Sequence, residues 1–233
     1  SVEEACIKHK VKVVIAVHLY GNPCNINRLL ELSKKYGFKI IEDCSQAIGS
    51  SFENKAVGTF GEFGTISFYA SKNLPAGEGG GIICNNGSYD DIMSRRNHGR
   101  TTHYDYDRLG YNYKMSDLFS SIVIANLRWL DEDIKKRREQ ASYYYKSFKE
   151  LDVEFIKHDI FGQSSYHQFV IITENRDEVR KNLLSKGVNT SVVYPIPLTD
   201  TKLFEGAVYF QNGSNDKYIS KKCISLPIGR HLS

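Results

Sequence analysis

Three consecutive segments, VKVVIAVHLYG, NPCNINRLLELSKKYG and FKIIEDCSQA, limit what this chain can fold into more than any other feature. The first and third are short, apolar and β-branched, which is the pattern of a buried strand. Between them Ile26, Leu29, Leu30 and Leu32 recur at near-helical spacing, and Gly37 follows as a C-terminal stop. Strand, helix and strand in that order make a β-α-β unit, and its right-handed crossover predicts two parallel strands that are neighbours or near neighbours. The first run is apolar enough to predict burial on both faces. It directly follows SVEEACIKHK, which reads as the tail of a helix, and a central strand so near the start predicts a fragment of a larger domain.

Polar residues end these runs abruptly. Asp43 and Gln46 stand together in IEDCSQA, and Ser67 precedes Lys72 in TISFYASKNLPAGEGGG. Each group is expected at the carboxyl end of a strand, where ligands of open α/β sheets bind. A lysine able to form an imine, a carboxylate able to pair with a pyridinium nitrogen and a hydroxyl able to hold a phosphate are the parts that bind pyridoxal 5'-phosphate (PLP). Taken singly, Asp43 reads as a strand-end aspartate capping the next turn, Lys72 as a solvated loop lysine and Ser67 as an outward-facing strand serine. The series is what favours the cofactor. Ile66, Phe68 and Tyr69 before Lys72 and the glycine cluster after it predict a desolvated amine with a lowered pKa, apt for moving protons. Gly58, Gly61 and Gly64 lack a following helix, which argues against a dinucleotide fingerprint, and AGEGGG lacks the lysine and hydroxyl of a P-loop.

Along the rest of the chain, residues 48–63 read as a loop with a short turn, and GTISFYA and GGIICNN as strands flanking Lys72. Ser116 to Leu151 reads as a long helix, with Leu118, Ile122, Ala125 and Trp129 on one stripe. YHQFVIITE, RDEVRKNLLSKG and VNTSVVYPIPL then read as strand, helix and strand. The fold class is therefore α/β, with a mostly parallel sheet in a large domain over residues 1–135 and a small α/β domain over 136–233.

Composition narrows the function classes. The 233 residues are 41% hydrophobic and carry a net charge of +4, but the basic residues are mixed with acids, as in DEDIKKRREQ, so the patch that nucleic-acid binding needs is missing. Cys6, Cys24, Cys44, Cys84 and Cys223 are odd in number, scattered and without a CxxC pair, which predicts reduced thiols and a cytoplasmic protein. The seven histidines show no metal-ligand spacing, so no metal site is expected. Neither a signal peptide nor a bilayer-spanning apolar run is visible, so no membrane partner is expected.

At VHLYGNPCNINRL, IEDCSQAIGSSF, GTFGEFGTISFYASKNLPAGEGGG, GYNYKMSDL and SLPIGRHLS the sequence resembles the DegT/DnrJ/EryC1/StrS family of PLP-dependent sugar aminotransferases, within the fold-type I class. The resemblance implies that Asp43 pairs with the pyridine nitrogen, Gln46 approaches the 3'-oxygen, Ser67 binds the phosphate and Lys72 forms the imine. It also implies that Asn112 reaches the cofactor phosphate of a neighbouring subunit, hence a homodimer. The implied reaction moves an amino group, with glutamate as donor, to the keto group of a nucleotide-linked sugar. The alternatives are a PLP-dependent sugar dehydratase and a non-catalytic regulatory relative; lysine at position 72, where dehydratases tend to carry histidine, favours transamination. Departures from the family pattern are the N-terminal part of the large domain, Lys114 where arginine is common, and Thr199 where histidine often stands.

Overall fold

The computed structural model describes residues 2–84, 87–206 and 215–232. Asn85 and Asn86, at the end of the GGIICNN run, lie outside them. The chain opens with α1 (Val2–Lys8), β1 (Val13–Val17), α2 (Ile26–Tyr36) and β2 (Lys39–Asp43). Asn25 caps α2 by accepting from Arg28 N, and Gly37 ends it in the left-handed conformation at φ 76°. β1 and β2 pair in parallel, with Val17 opposite Asp43, as the β-α-β reading requires.

Residues 48–63 hold a small hairpin, β3 (Ser51–Phe52) with β4 (Lys55–Ala56), where a loop is expected from the sequence. Two residues per strand are too few for a periodic signal. β5 (Phe63–Ser67) then pairs in parallel with β2, and β6 (Gly80–Cys84) returns antiparallel to β5. The sheet order is β1-β2-β5-β6. Ala16, Leu32, Phe38 and Ile40 form its core on the side covered by α1 and α2.

β1 is not buried on both faces: Val13, Ile15 and Val17 are 48%, 63% and 46% exposed. Alternate side chains point to opposite faces, and α1 and α2 cover the face carrying Val14 and Ala16, so Val13, Ile15 and Val17 point away from them.

After α3 (Tyr89–Arg96), the long helix expected over Ser116 to Leu151 is two helices, α4 (Asp117–Leu127) and α5 (Leu130–Ser147). α4 also turns the other way from expectation. Phe119, Val123 and Leu130 pack on Phe68, Leu74 and Ala76, whereas Leu118, Ile122, Ala125 and Trp129 are exposed. A helix apolar all round has two possible stripes, and its periodicity cannot choose between them. Met115, just before α4, is half-buried in the same cluster.

The remaining elements are β7 (Glu154–Phe155), β8 (Phe169–Ile172), α6 (Arg176–Ser185), α7 (Asn215–Lys222) and β9 (Cys223–Leu226). β7, β8 and β9 form an antiparallel sheet, and Tyr144 and Tyr145 of α5, with Phe148 just beyond its end, pack on Phe169, Ile171, Ile224 and Leu226. VNTSVVYPIPL is not a strand; it meets β9 through a single bridge, Ser191 to Ser225. Its two prolines remove the donors a ladder needs.

Candidate active site

Asp43 ends β2, Gln46 lies in the turn that follows, Ser67 ends β5, and Lys72 lies in the loop between β5 and β6. Because β2 and β5 are parallel neighbours, Asp43 and Ser67 emerge at the same sheet edge. The lysine loop continues the β5–β6 hairpin: Phe68 N donates to Gly79 O at 2.9 Å, Ala70 N to Gly77 O at 3.1 Å and Lys72 N to Tyr69 O at 2.9 Å. Leu74, 2% exposed, anchors the loop in the core beneath.

Partial burial lowers the pKa of Lys72 below the usual lysine value, and the Asp43 carboxylate acts in the opposite sense. Among the described residues, Lys72 Nζ has no hydrogen-bond partner. Asp43 Oδ1 accepts from Ser45 N at 2.9 Å, the turn cap that the lone residue suggests, but Oδ2 has no partner among the described residues. Gln46 Oε1 accepts from Tyr20 N at 2.9 Å, and one of its two amide hydrogens goes to Tyr194 Oη at 3.2 Å. Ser67 Oγ accepts from Tyr69 N at 3.3 Å and keeps its own proton to donate. The groups left free are therefore an amine, one accepting carboxylate oxygen, one amide N–H and one hydroxyl proton. That set fits PLP: an aldehyde carbon, a ring nitrogen, a phenolic 3'-oxygen and a phosphate.

Asn112 is not brought to this group. It pairs with Asn97, between Tyr111 and Tyr113, whose exposed rings stack at 5.0 Å. Lys114 beside it reaches Asn97 Oδ1 at 3.0 Å. A groove of about 910 Å³ between α5 and residues 153–166, lined by Arg138, Tyr145, His158 and Tyr166, also lies apart from Lys72.

The sequence reading missed the support below Asp43. His18 and Glu42 are fully buried, with His18 Nε2 to Glu42 Oε2 at 3.1 Å. Cys24 N donates to His18 Nδ1 at 3.0 Å, so Nε2 carries the proton and the ring is neutral. Glu42 Oε2 also accepts from Gly58 N at 2.7 Å, and Oε1 from Phe60 N at 2.7 Å and Gly61 N at 2.8 Å. Burial alone would raise the Glu42 pKa; His18 and these backbone donors outweigh it and hold the carboxyl below the usual range. Cys44 lies close enough for the three donor atoms to fall within 4.8 Å of one another. Burial, then the charges of Glu42 and Asp43, raise the Cys44 thiol's pKa. Every Glu42 and His18 acceptor and donor is already used, and the cluster is a structural brace.

Three further residues border Lys72 and Gln46 unannounced by the sequence. Tyr20, with φ 61°, presents its N–H to Gln46. Asn73 Oδ1 lies 3.3 Å from His167 Nδ1, although the two are 94 residues apart in the chain. Only the position of Asn73 beside Lys72 offered a signal.

Residues 1–233 match the model of the DegT/DnrJ/EryC1/StrS aminotransferase family. The chain is 37% identical over 201 residues to the GDP-perosamine synthase of Escherichia coli O157:H7, covering 83% of this chain and 55% of that protein. It is 35% identical to the UDP-N-acetyl-3-dehydro-alpha-D-glucosamine 3-aminotransferase of Acidithiobacillus ferrooxidans, covering 86% and 55%. A pleiotropic regulatory protein of Geobacillus stearothermophilus is 32% identical, covering 97% and 62%. Among solved structures, S. venezuelae DesV in complex with a ketimine intermediate superposes with a TM-score of 0.93 at 28% identity, over 100% of this chain and 63% of that one. The chain thus spans little more than half the length of the first two relatives.

Proposed function

We propose that this chain, which belongs to the DegT/DnrJ/EryC1/StrS aminotransferase family, is the part of a PLP-dependent aminotransferase that carries the cofactor-binding lysine and moves an amino group from glutamate to the keto group of a nucleotide-linked sugar. The observation that carries this reading is the set of free polar groups of Asp43, Gln46, Ser67 and Lys72 at one sheet edge. Relatives named for sugar amination support the substrate class.

When bound, the cofactor supplies an electron sink for the carbon that loses or gains a proton. Lys72 would hold its aldehyde carbon and, when released, move a proton at Nζ; a lowered pKa keeps a larger neutral fraction near neutrality. Asp43 would face the ring nitrogen through Oδ2 while Oδ1 stays on Ser45, and Gln46 would give its second amide hydrogen to the 3'-oxygen. Ser67 would donate to the phosphate, and Asn112 of a second copy would complete that contact in a homodimer. Exposed Tyr111 and Tyr113 on either side of Asn112 support such an interface. In this reading residues 1–135 are the cofactor domain and 136–233 the small domain, α5 crosses between them, and the protein works in the cytoplasm. Among the described residues, no helix is long and apolar enough to cross a membrane.

Glutamate-dependent amination of a nucleotide-linked ketosugar, with release of 2-oxoglutarate, tests the reading. Dehydration without amino transfer would replace it by the dehydratase alternative. Cofactor binding without either reaction would favour the regulatory role that one relative's name raises.

A further inference from the structure

We propose that Asn73 and His167 form a positioning pair for Lys72, which tethers the lysine loop to the segment before β8. The proposal rests on the reading of Lys72 as the cofactor-binding lysine.

Asn73 immediately follows Lys72 and is 6% exposed, and His167 is 8% exposed. Asn73 Nδ2 donates to Ser165 O at 3.3 Å, which leaves its Oδ1 as an acceptor. His167 Nδ1, 3.3 Å from that oxygen, must then carry a proton and donate it. Two bonds from one side chain thus join the loop after β5 to residues 165–167. The far end is fixed in turn by Arg137 of α5, whose Nη1 lies 3.1 Å from Tyr166 O, 3.4 Å from His167 O and 3.4 Å from Ile228 O. A loop lysine is an imprecise platform unless neighbouring groups lock it. Asn73 is the lock nearest to it in sequence.

The electrostatics agree with this geometry. The titratable groups facing Lys72 are Asp43 at the end of β2 and His167; those facing His167 are Lys72 and Arg137, with Asp133 opposing Arg137. Burial first, then the charges of Lys72 and Arg137, push the pKa of His167 down to about 3, so the ring stays neutral through the working range. A protonated ring there would repel the lysine ammonium. Without the bond from His167 to Asn73 the lysine loop would loosen, admit water and lose the desolvation that lowers the Lys72 pKa.

Competitive acetylation of amines across pH, read by mass spectrometry of the Lys72 peptide against exposed Lys135, tests the pair without cofactor or substrate. The wild-type midpoint for Lys72 is expected below that of Lys135. His167→Ala and Asn73→Ala should bring it up towards Lys135, whereas His167→Asn, whose amide nitrogen falls where Nδ1 lies, should keep it within a few tenths of a pH unit of wild type. An unmoved midpoint in both alanine variants overturns the proposal, as does a His167→Asn protein that titrates like His167→Ala. If an alanine variant does not fold, Asn73→Asp is the substitute: its fixed carboxylate beside the amine must raise the midpoint, and an unchanged value counts against the pair. Failure of amino transfer with the labelling pattern intact would overturn only the functional reading.

Discussion

His18 Nε2 donates to Glu42 Oε2 across 3.1 Å, with both side chains fully shielded from solvent. Glu42 is the residue before Asp43, and the same carboxylate also receives three backbone N–H groups from the 58–61 turn. The brace therefore fixes the end of β2 from below and joins it to the segment leading into β5.

Glu42→Gln should destabilise the protein by about 3 kcal/mol, because the amide presents hydrogens to donors that need an acceptor. The pH dependence has a definite sign. The Glu42 pKa is lowered by folding, so its contribution is complete above the ordinary value of 4.5 and is lost as pH falls through the depressed folded value. Urea denaturation at several pH values should show that acid loss in wild type and its attenuation in the variant. Equal stability of the two proteins at pH 7 would remove the brace.

Gly21 has φ +88°, and a Cβ there would lie 2.6 Å from Ser165 Oγ and 2.9 Å from His167 N. Its carbonyl accepts from Ser50 Oγ at 2.7 Å, Ser164 Oγ at 2.9 Å and Ser165 N at 3.1 Å. Gly21→Ala should cost roughly 2–4 kcal/mol through the combined clash and backbone strain. A thermal midpoint equal to wild type would show that the joint yields freely.

How much was legible in the sequence depends on whether a residue announces itself along the chain. The β-α-β unit did, because α2 has both its apolar spacing and Gly37, and the strand-end positions of Asp43 and Ser67 did, because each breaks an apolar run, with Lys72 in the loop that follows β5. The outward faces of β1 and α4 did not, since apolar periodicity records no neighbour. Nor did Glu42 or His167, whose roles come from backbone donors and partners brought together only by folding.

Asp43→Asn separates the two roles of that residue. The bond from Ser45 N to Oδ1 survives, so stability should change by less than about 1 kcal/mol. Amino transfer should fall at least about a hundredfold, because the charge facing the ring nitrogen is gone. An unchanged rate would leave Asp43 as a turn cap alone.

Mixing Lys72→Ala and Asn112→Ala proteins tests the shared site. Each hybrid dimer would hold one whole site, so random exchange should restore about a quarter of wild-type activity. No recovery after verified subunit exchange would place Asn112 outside the site of a second copy.

The most direct measurement is borohydride reduction after incubation with PLP, followed by peptide mapping. The amine of Lys72 is partly desolvated and has no hydrogen-bond partner among the described residues, so the adduct should map to Lys72 at stoichiometric yield and disappear in Lys72→Ala. An adduct spread over exposed lysines, or one that persists in Lys72→Ala at the same yield, would contradict the account.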